Sequence, residues 1–90
     1  MKSVAIEVYG KVQGVWFRAS AVEKARALRL KGFVSNRADG SVYLEVHGAP
    51  AAVQSLIEWC HVGPRHAEVS TVKLLDIPSS TAEEFSIKRS

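Results

Sequence analysis

The stretch Gly10-Lys11-Val12-Gln13-Gly14-Val15-Trp16-Phe17-Arg18 joins two different hydrophobic periodicities, and the fold follows from what lies on either side of it. Upstream, Val4, Ile6 and Val8 alternate with Ala5, Glu7 and Tyr9, the period of a strand with one buried face. Downstream, from about Phe17 to Leu30, the residues Phe17, Ala21, Ala25 and Leu28 recur at helical spacing, with Glu23, Lys24, Arg26 and Arg29 on the other face. A strand therefore enters a helix through a segment that carries two glycines and ends on an arginine. Glycine permits backbone geometries in which successive N–H groups converge, and the helix aims its positive end at that point. Arg18 adds a planar fork of donors suited to phosphate or carboxylate. Read so, the segment is an anion cradle. Read otherwise, it is a glycine-containing turn with an arginine in the first helical turn.

Further along, Phe33 and Val34 begin a second strand and Val42, Leu44 and Val46 mark a third. Between them Asn36-Arg37-Ala38-Asp39-Gly40 carries the Asp-Gly signal of a hairpin, with Asp39 as a turn former. Pro50 suits the first turn of a second helix through Val53, Leu56, Ile57 and Cys60, which Gly63-Pro64 ends. Val69 to Leu75 read as a fourth strand, Pro78-Ser79-Ser80 as a turn, and Phe85 and Ile87 as a short final strand. The order βαββαβ plus a terminal β indicates an α+β, ferredoxin-like split βαβ sandwich, an antiparallel sheet with both helices on one face. Right-handed crossovers set strands one and three side by side in the centre. The end of strand two then lies at the same end of the sheet as the end of strand one, so Asn36 can approach the Gly10 to Arg18 segment.

Ninety residues, 47% of them hydrophobic, suffice for one core, and a single domain over residues 1–90 is expected. No apolar run spans a bilayer and no apolar signal region follows Met1-Lys2-Ser3, so a cytoplasmic location with no membrane partner is expected. Cys60 is the only cysteine, which precludes an intrachain disulfide; its place on an apolar stripe makes it a core residue. The net charge of +3 is spread along the chain without a dense basic run, which suits a small anionic ligand better than nucleic acid.

The inventory of reactive groups narrows the chemistry. No Ser or Cys pairs with a His, no carboxylates converge, and His47, His61 and His66 lack ligand spacing and read as surface imidazoles. Glu23, Glu58, Glu83 and Glu84 read as solvated faces. No Lys-Ser/Thr pair follows Gly14, so the Walker pattern fails as well. A phosphate cradle with one arginine and one amide is left. Alkoxide leaving groups need a general acid or a metal, whereas an acyl phosphate expels a carboxylate of pKa about 4 that departs unprotonated at neutral pH. Positioning and electrostatics alone can serve that bond.

The same segment resembles the acylphosphatase signature of G-x-V-Q-G-V-x-F-R type, and Gly32-Phe33-Val34-Ser35-Asn36-Arg37-Ala38-Asp39-Gly40-Ser41-Val42 resembles its second motif, G-[FW]-V-x-N-x-x-D-G-x-V. Glu45 with Gly48, Trp59 with Gly63-Pro64, and Phe85-Ser86-Ile87 extend the likeness over nearly the whole chain. The resemblance implies that Arg18 grips the phosphoryl group and Asn36 orients the attacking water. It also implies that the backbone from Gln13 through Gly14, Val15, Trp16 and Phe17 to Arg18 forms the phosphate loop. Trp16 fills a variable slot where another aromatic often stands, at the pocket rim. An acyl phosphate is then the substrate, inorganic phosphate the product and a competitive inhibitor, and neither cofactor nor metal is called for. A monomer is expected. Two rivals stand beside this reading. One is a regulatory module that keeps the fold, disfavoured because Arg18 and Asn36 are both present and the chain starts and stops at the domain edges. The other is an RNA-recognition domain, whose stacking platform Val42-Tyr43-Leu44-Glu45-Val46-His47 matches poorly.

Overall fold

The computed structural model describes residues 1–79 and 83–89; Ser80, the last residue of the expected turn, lies outside them. In chain order the elements are β1 (Lys2–Lys11), α1 (Phe17–Ala27), β2 (Lys31–Asn36), β3 (Val42–Gly48), α2 (Pro50–Val62), β4 (Glu68–Asp76) and β5 (Phe85–Ile87). The strands lie side by side as β4-β1-β3-β2-β5. The four long strands are antiparallel neighbours, with β1 and β3 at the centre. The short β5 pairs parallel with β2, so the sheet is mixed at that edge rather than antiparallel throughout. This follows from chain direction: β4 opposes β2, and β5 opposes β4.

Both helices cover one face, α1 over β2 and β5, α2 over β1 and β4. Ile6, Val8, Val34, Leu44 and Val46 of the sheet meet Phe17, Ala21 and Ala25 of α1 and Val53, Leu56, Ile57 and Cys60 of α2 in one core. Each helical stripe is the one its periodicity marks. Burial pushes the Cys60 thiol up to about 12, so it packs as a small hydrophobe and supplies no thiolate. Ala5 is buried although it alternates with the core residues, its neighbours across the pairing being Glu45 and Leu75.

Two local expectations are corrected. Helix α1 stops at Ala27 rather than near Leu30. There Arg29 takes a left-handed φ of 58°, and the N–H groups of Arg29 and Leu30 bond back to the carbonyls of Arg26 and Ala25 at 3.0 and 2.9 Å. These are the two bonds of a Schellman stop, with an arginine where glycine is usual. The apolar period runs on past it because Leu30 is buried as the contact residue of the motif, not as a further helical turn. His47 is not a surface imidazole. It is buried opposite Ser3, whose Oγ lies 2.7 Å from its Nδ1, so a partner one strand away satisfies a ring that looks polar and exposed in sequence. His61 and His66 are exposed as expected.

Candidate active site

Between β1 and α1 the chain is pegged into the core by Val12, Val15 and Phe17, while Gly14 and Trp16 between the pegs face outward. Alternation of buried and exposed residues forces the backbone to wind. Gly14 takes φ 75° and Trp16 φ 67°, both left-handed, and a Cβ on Gly14 would meet nothing within 4 Å. The left-handed region costs a non-glycine residue on the order of 1–3 kcal/mol, and such strain concentrates at binding loops. Trp16 is also the N-cap of α1, with no side-chain cap bond, and no acidic residue stands in the first turn. The first N–H groups of α1 thus keep their donor capacity and the positive helix end is not neutralised.

Gly10 plays a different part from the one its place in the segment indicates. It belongs to β1, at φ 123°, where the pairing with β4 shifts register, and a Cβ there would strike the Glu68 carbonyl oxygen. It is a close-approach glycine of the sheet and does not line the cleft; only Gly14 is open to a ligand. Phe17 is the anchor that aims the following residue. Its ring lies 5.1 Å from that of Trp59 near the end of α2, and a Cβ on Gly63 would approach it to 3.0 Å. Burying such a ring contributes roughly 2–3 kcal/mol, enough to fix the start of α1 and with it Arg18.

Asn36 ends β2. Its register partner Val42 is also the partner of Val8, so β3 holds the ends of β1 and β2 at one level. The hairpin after it is set by Asp39, whose Oδ1 accepts from the Ser41 N–H at 2.9 Å and the Ser41 hydroxyl at 2.6 Å. The Ser41 hydroxyl bond, ahead of the backbone one, holds the Asp39 carboxyl below its ordinary value of 3.8. Gln13 then ties the hairpin to the loop: its Nε2 donates to the Arg37 and Ser41 carbonyls at 2.7 and 2.8 Å. Arg37 itself points to the open face of the sheet, where it pairs with Glu7 and lies 4.0 Å over the Tyr43 ring. Burial, with the bond to Glu45, raises the Tyr43 hydroxyl to about 12.

The two halves meet in a cleft of about 350 Å³ whose lining includes Gly14, Trp16, Phe17, Arg18 and Asn36. Of the expected loop residues, Gln13 and Val15 are not on its wall, being turned to the hairpin and the core. Among the described residues the Asn36 Oδ1 is the one buried side-chain polar atom without a hydrogen-bond partner. A buried acceptor left open costs about 1–3 kcal/mol, which a bound water or ligand would recover. Among the described residues no carboxylate lines the cleft and Arg18 forms no ion pair. Uncompensated positive charge, unused N–H donors and a hungry acceptor suit an oxyanion accompanied by water. Sequence reasoning missed Ile87 and Arg89, which also line the cleft. The final strand pairs Ile87 with Val34, two residues before Asn36, and the short apolar run Phe85 to Ile87 does not mark that parallel pairing in sequence.

A split βαβ sandwich with a strained loop, an arginine and an unpartnered amide oxygen in one cleft is an α+β domain whose site suits an anion. The chain belongs to the acylphosphatase family, hydrolases of acyl phosphates, whose model matches residues 4–87. An acylphosphatase of Rhodospirillum rubrum is 41% identical over 90 residues, covering 100% of this chain and 99% of its own. The acylphosphatase structure from Bacillus subtilis superposes with a TM-score of 0.94 at 34% identity, over 98% of this chain and 99% of that one. That from Coxiella burnetii gives 0.93 at 37% identity, over 97% and 92%.

Proposed function

We propose that this chain hydrolyses acyl phosphates to a carboxylate and inorganic phosphate, with Arg18 and the Gln13 to Arg18 backbone binding the phosphoryl group and Asn36 orienting the attacking water. The observation that carries the reading is the unpartnered, buried Asn36 Oδ1 in the same cleft as Arg18 and the open Gly14. The phosphoryl oxygens take the first N–H groups of α1 and the fork of Arg18. Asn36 accepts one hydrogen of a water held opposite the leaving oxygen, which is the near-attack geometry of an in-line displacement. Water's oxygen bonds to phosphorus as the bond to the acyl oxygen breaks, and the carboxylate leaves without a proton. The water proton passes to a phosphoryl oxygen, so no protein base is required. Arg18 and the helix end stabilise the charge on the equatorial oxygens in the loose transition state.

The reading carries several corollaries. Inorganic phosphate, which has the same oxygens, competes with substrate. The chain acts as one domain over residues 1–90 and as a monomer, without a metal, and a reduced, buried Cys60 suits the cytoplasm. The RNA alternative loses support because the rings of Tyr43, Lys88-capped Phe33 and Lys73-capped Tyr9 are already covered by cations of this chain, Arg37 on Tyr43 among them. The decisive experiment is phosphate release from benzoyl phosphate with excess chelator present. Release at the chelator-free rate is expected; no release above the spontaneous rate, with or without added divalent ions, would refute the assignment.

A further inference from the structure

We propose that Arg89 is a second arginine on the transferred phosphoryl group, an inference that rests on the reaction and water position just given. Arg89 lines the cleft with Arg18 and Asn36, although it lies in the last residues of the chain. Its position follows from the edge pairing. β5 runs parallel to β2 with Val34 opposite Ile87, and the Lys88 N–H donates to the Val34 carbonyl at 2.9 Å. β5 ends at Ile87, and two residues further on Arg89 reaches the wall of the cleft that Asn36 also lines. Side chains alternate between faces along a strand. Lys88 accordingly lies on the open face, 4.8 Å over the Phe33 ring, while Ile87 and Arg89 line the cleft on the other.

Charge argues for an anion between the two arginines. Among the described residues Arg89, like Arg18, forms no ion pair, and the cleft wall holds no carboxylate to balance them. Two guanidinium groups facing one space repel each other, and a phosphoryl dianion turns that repulsion into attraction to both. In-line geometry decides which part of the substrate Arg89 meets. Asn36 marks the side from which water attacks, so the acyl group leaves on the opposite side, away from the β2–β5 edge. A group that enters the cleft from the β2–β5 edge, as Arg89 does, therefore reaches the equatorial phosphoryl oxygens and not the acyl chain. As charge gathers on those oxygens in the transition state, a second planar donor there favours turnover as well as binding.

The test uses the full chain carrying Arg89→Gln or Arg89→Lys, with urea midpoints to confirm an intact fold. Benzoyl phosphate and succinyl phosphate, whose acyl groups are neutral and anionic, serve as substrates, and inorganic phosphate is titrated calorimetrically. For Arg89→Gln, kcat/KM should fall by about a hundredfold, the lower end of what one transition-state donor supplies. The factor should be the same for both substrates, and phosphate affinity should fall with it. Arg89→Lys should restore phosphate affinity more than kcat. A loss confined to succinyl phosphate would overturn the proposal, making Arg89 a recognition group for the acyl chain; so would unchanged kinetics and phosphate affinity. If the parent chain itself released no phosphate from either substrate, the reaction assignment would fall. The phosphate titration of Arg89→Gln would still decide whether Arg89 binds the anion.

Discussion

Replacing Gln13 by alanine removes the only side-chain link described between the phosphate loop and the hairpin that carries Asn36. Its amide donates to the Arg37 and Ser41 carbonyls at 2.7 and 2.8 Å. Neither acceptor is stranded by the change, since Arg37 O keeps the Gly40 N–H at 3.1 Å and Ser41 O keeps the Arg37 N–H at 2.9 Å. The cost is therefore two net hydrogen bonds without an orphaned carbonyl, about 1–3 kcal/mol. In a chain of this size about 2 kcal/mol corresponds to a fall in Tm of roughly 8–16 °C. Catalysis should suffer separately. Loosening the hairpin displaces Asn36 relative to Arg18, and with the roles proposed for the two a misplacement near 1 Å can cost about a hundredfold. We expect kcat to drop by about tenfold or more with phosphate affinity little changed. Gln13→Glu is the sharper variant, because an ionised carboxylate facing two carbonyl oxygens only accepts. Its deficit against the parent chain should begin at about pH 4.3, where the carboxyl ionises in the unfolded chain, and widen above it, since the two carbonyl oxygens disfavour the ionised form in the folded one. Urea unfolding, steady-state rates and phosphate calorimetry on both variants give the answer. An alanine variant within about 0.5 kcal/mol of the parent, inside the range of an inert surface change, and with unaltered kcat would refute the tether.

Arg18→Lys should leave the urea midpoint unchanged and lower turnover by more than tenfold, about 1.4 kcal/mol, since a point charge cannot hold two phosphate oxygens as a fork does; benzoyl phosphate kinetics measure it. Asn36→Ala should depress kcat with phosphate affinity nearly intact, whereas Asn36→Asp should weaken both, its carboxylate repelling the phosphoryl dianion; paired rates and calorimetry distinguish them. Asp39 has a folded-state pKa below its ordinary 3.8, chiefly through the Ser41 hydroxyl. Its contribution to stability is present above the unfolded value and is lost as pH falls through the lowered folded one. Ser41→Ala should therefore flatten the acid limb of a stability–pH profile followed by circular dichroism.

Elements were legible where one face of the chain repeats. The strand period from Val4 to Val8 and the stripe Val53, Leu56, Ile57, Cys60 describe half-buried surfaces, and both are found where the pattern puts them. What escaped depends on partners distant in sequence. Gly10 and Gly14 look alike in the chain, and only β4 at the back of one distinguishes a packing glycine from an open loop glycine. The Gln13 amide reaches residues 24 and 28 positions away, and His47 finds Ser3 at 44. Arg89 follows β5 by two residues and reaches the cleft because that strand pairs with β2, which so short a run does not announce. Strand topology alone brings Asn36 to the Gly10 to Arg18 segment, and the resemblance to a family adds the roles of Arg18 and Asn36.

The central place of β3 has a kinetic consequence. β1 and β2, which deliver the loop and Asn36, pair with β3 and not with each other. Neither half of the cleft can find the other until the later-synthesised β3 has inserted between them, a pairing that closes long loops and so makes folding slow for a chain of this length. If that insertion completes after the rate-limiting barrier, phosphate has nothing to bind in the transition state. Ligand should then lengthen the life of the folded chain by slowing unfolding, and leave the folding limb of the chevron where it was.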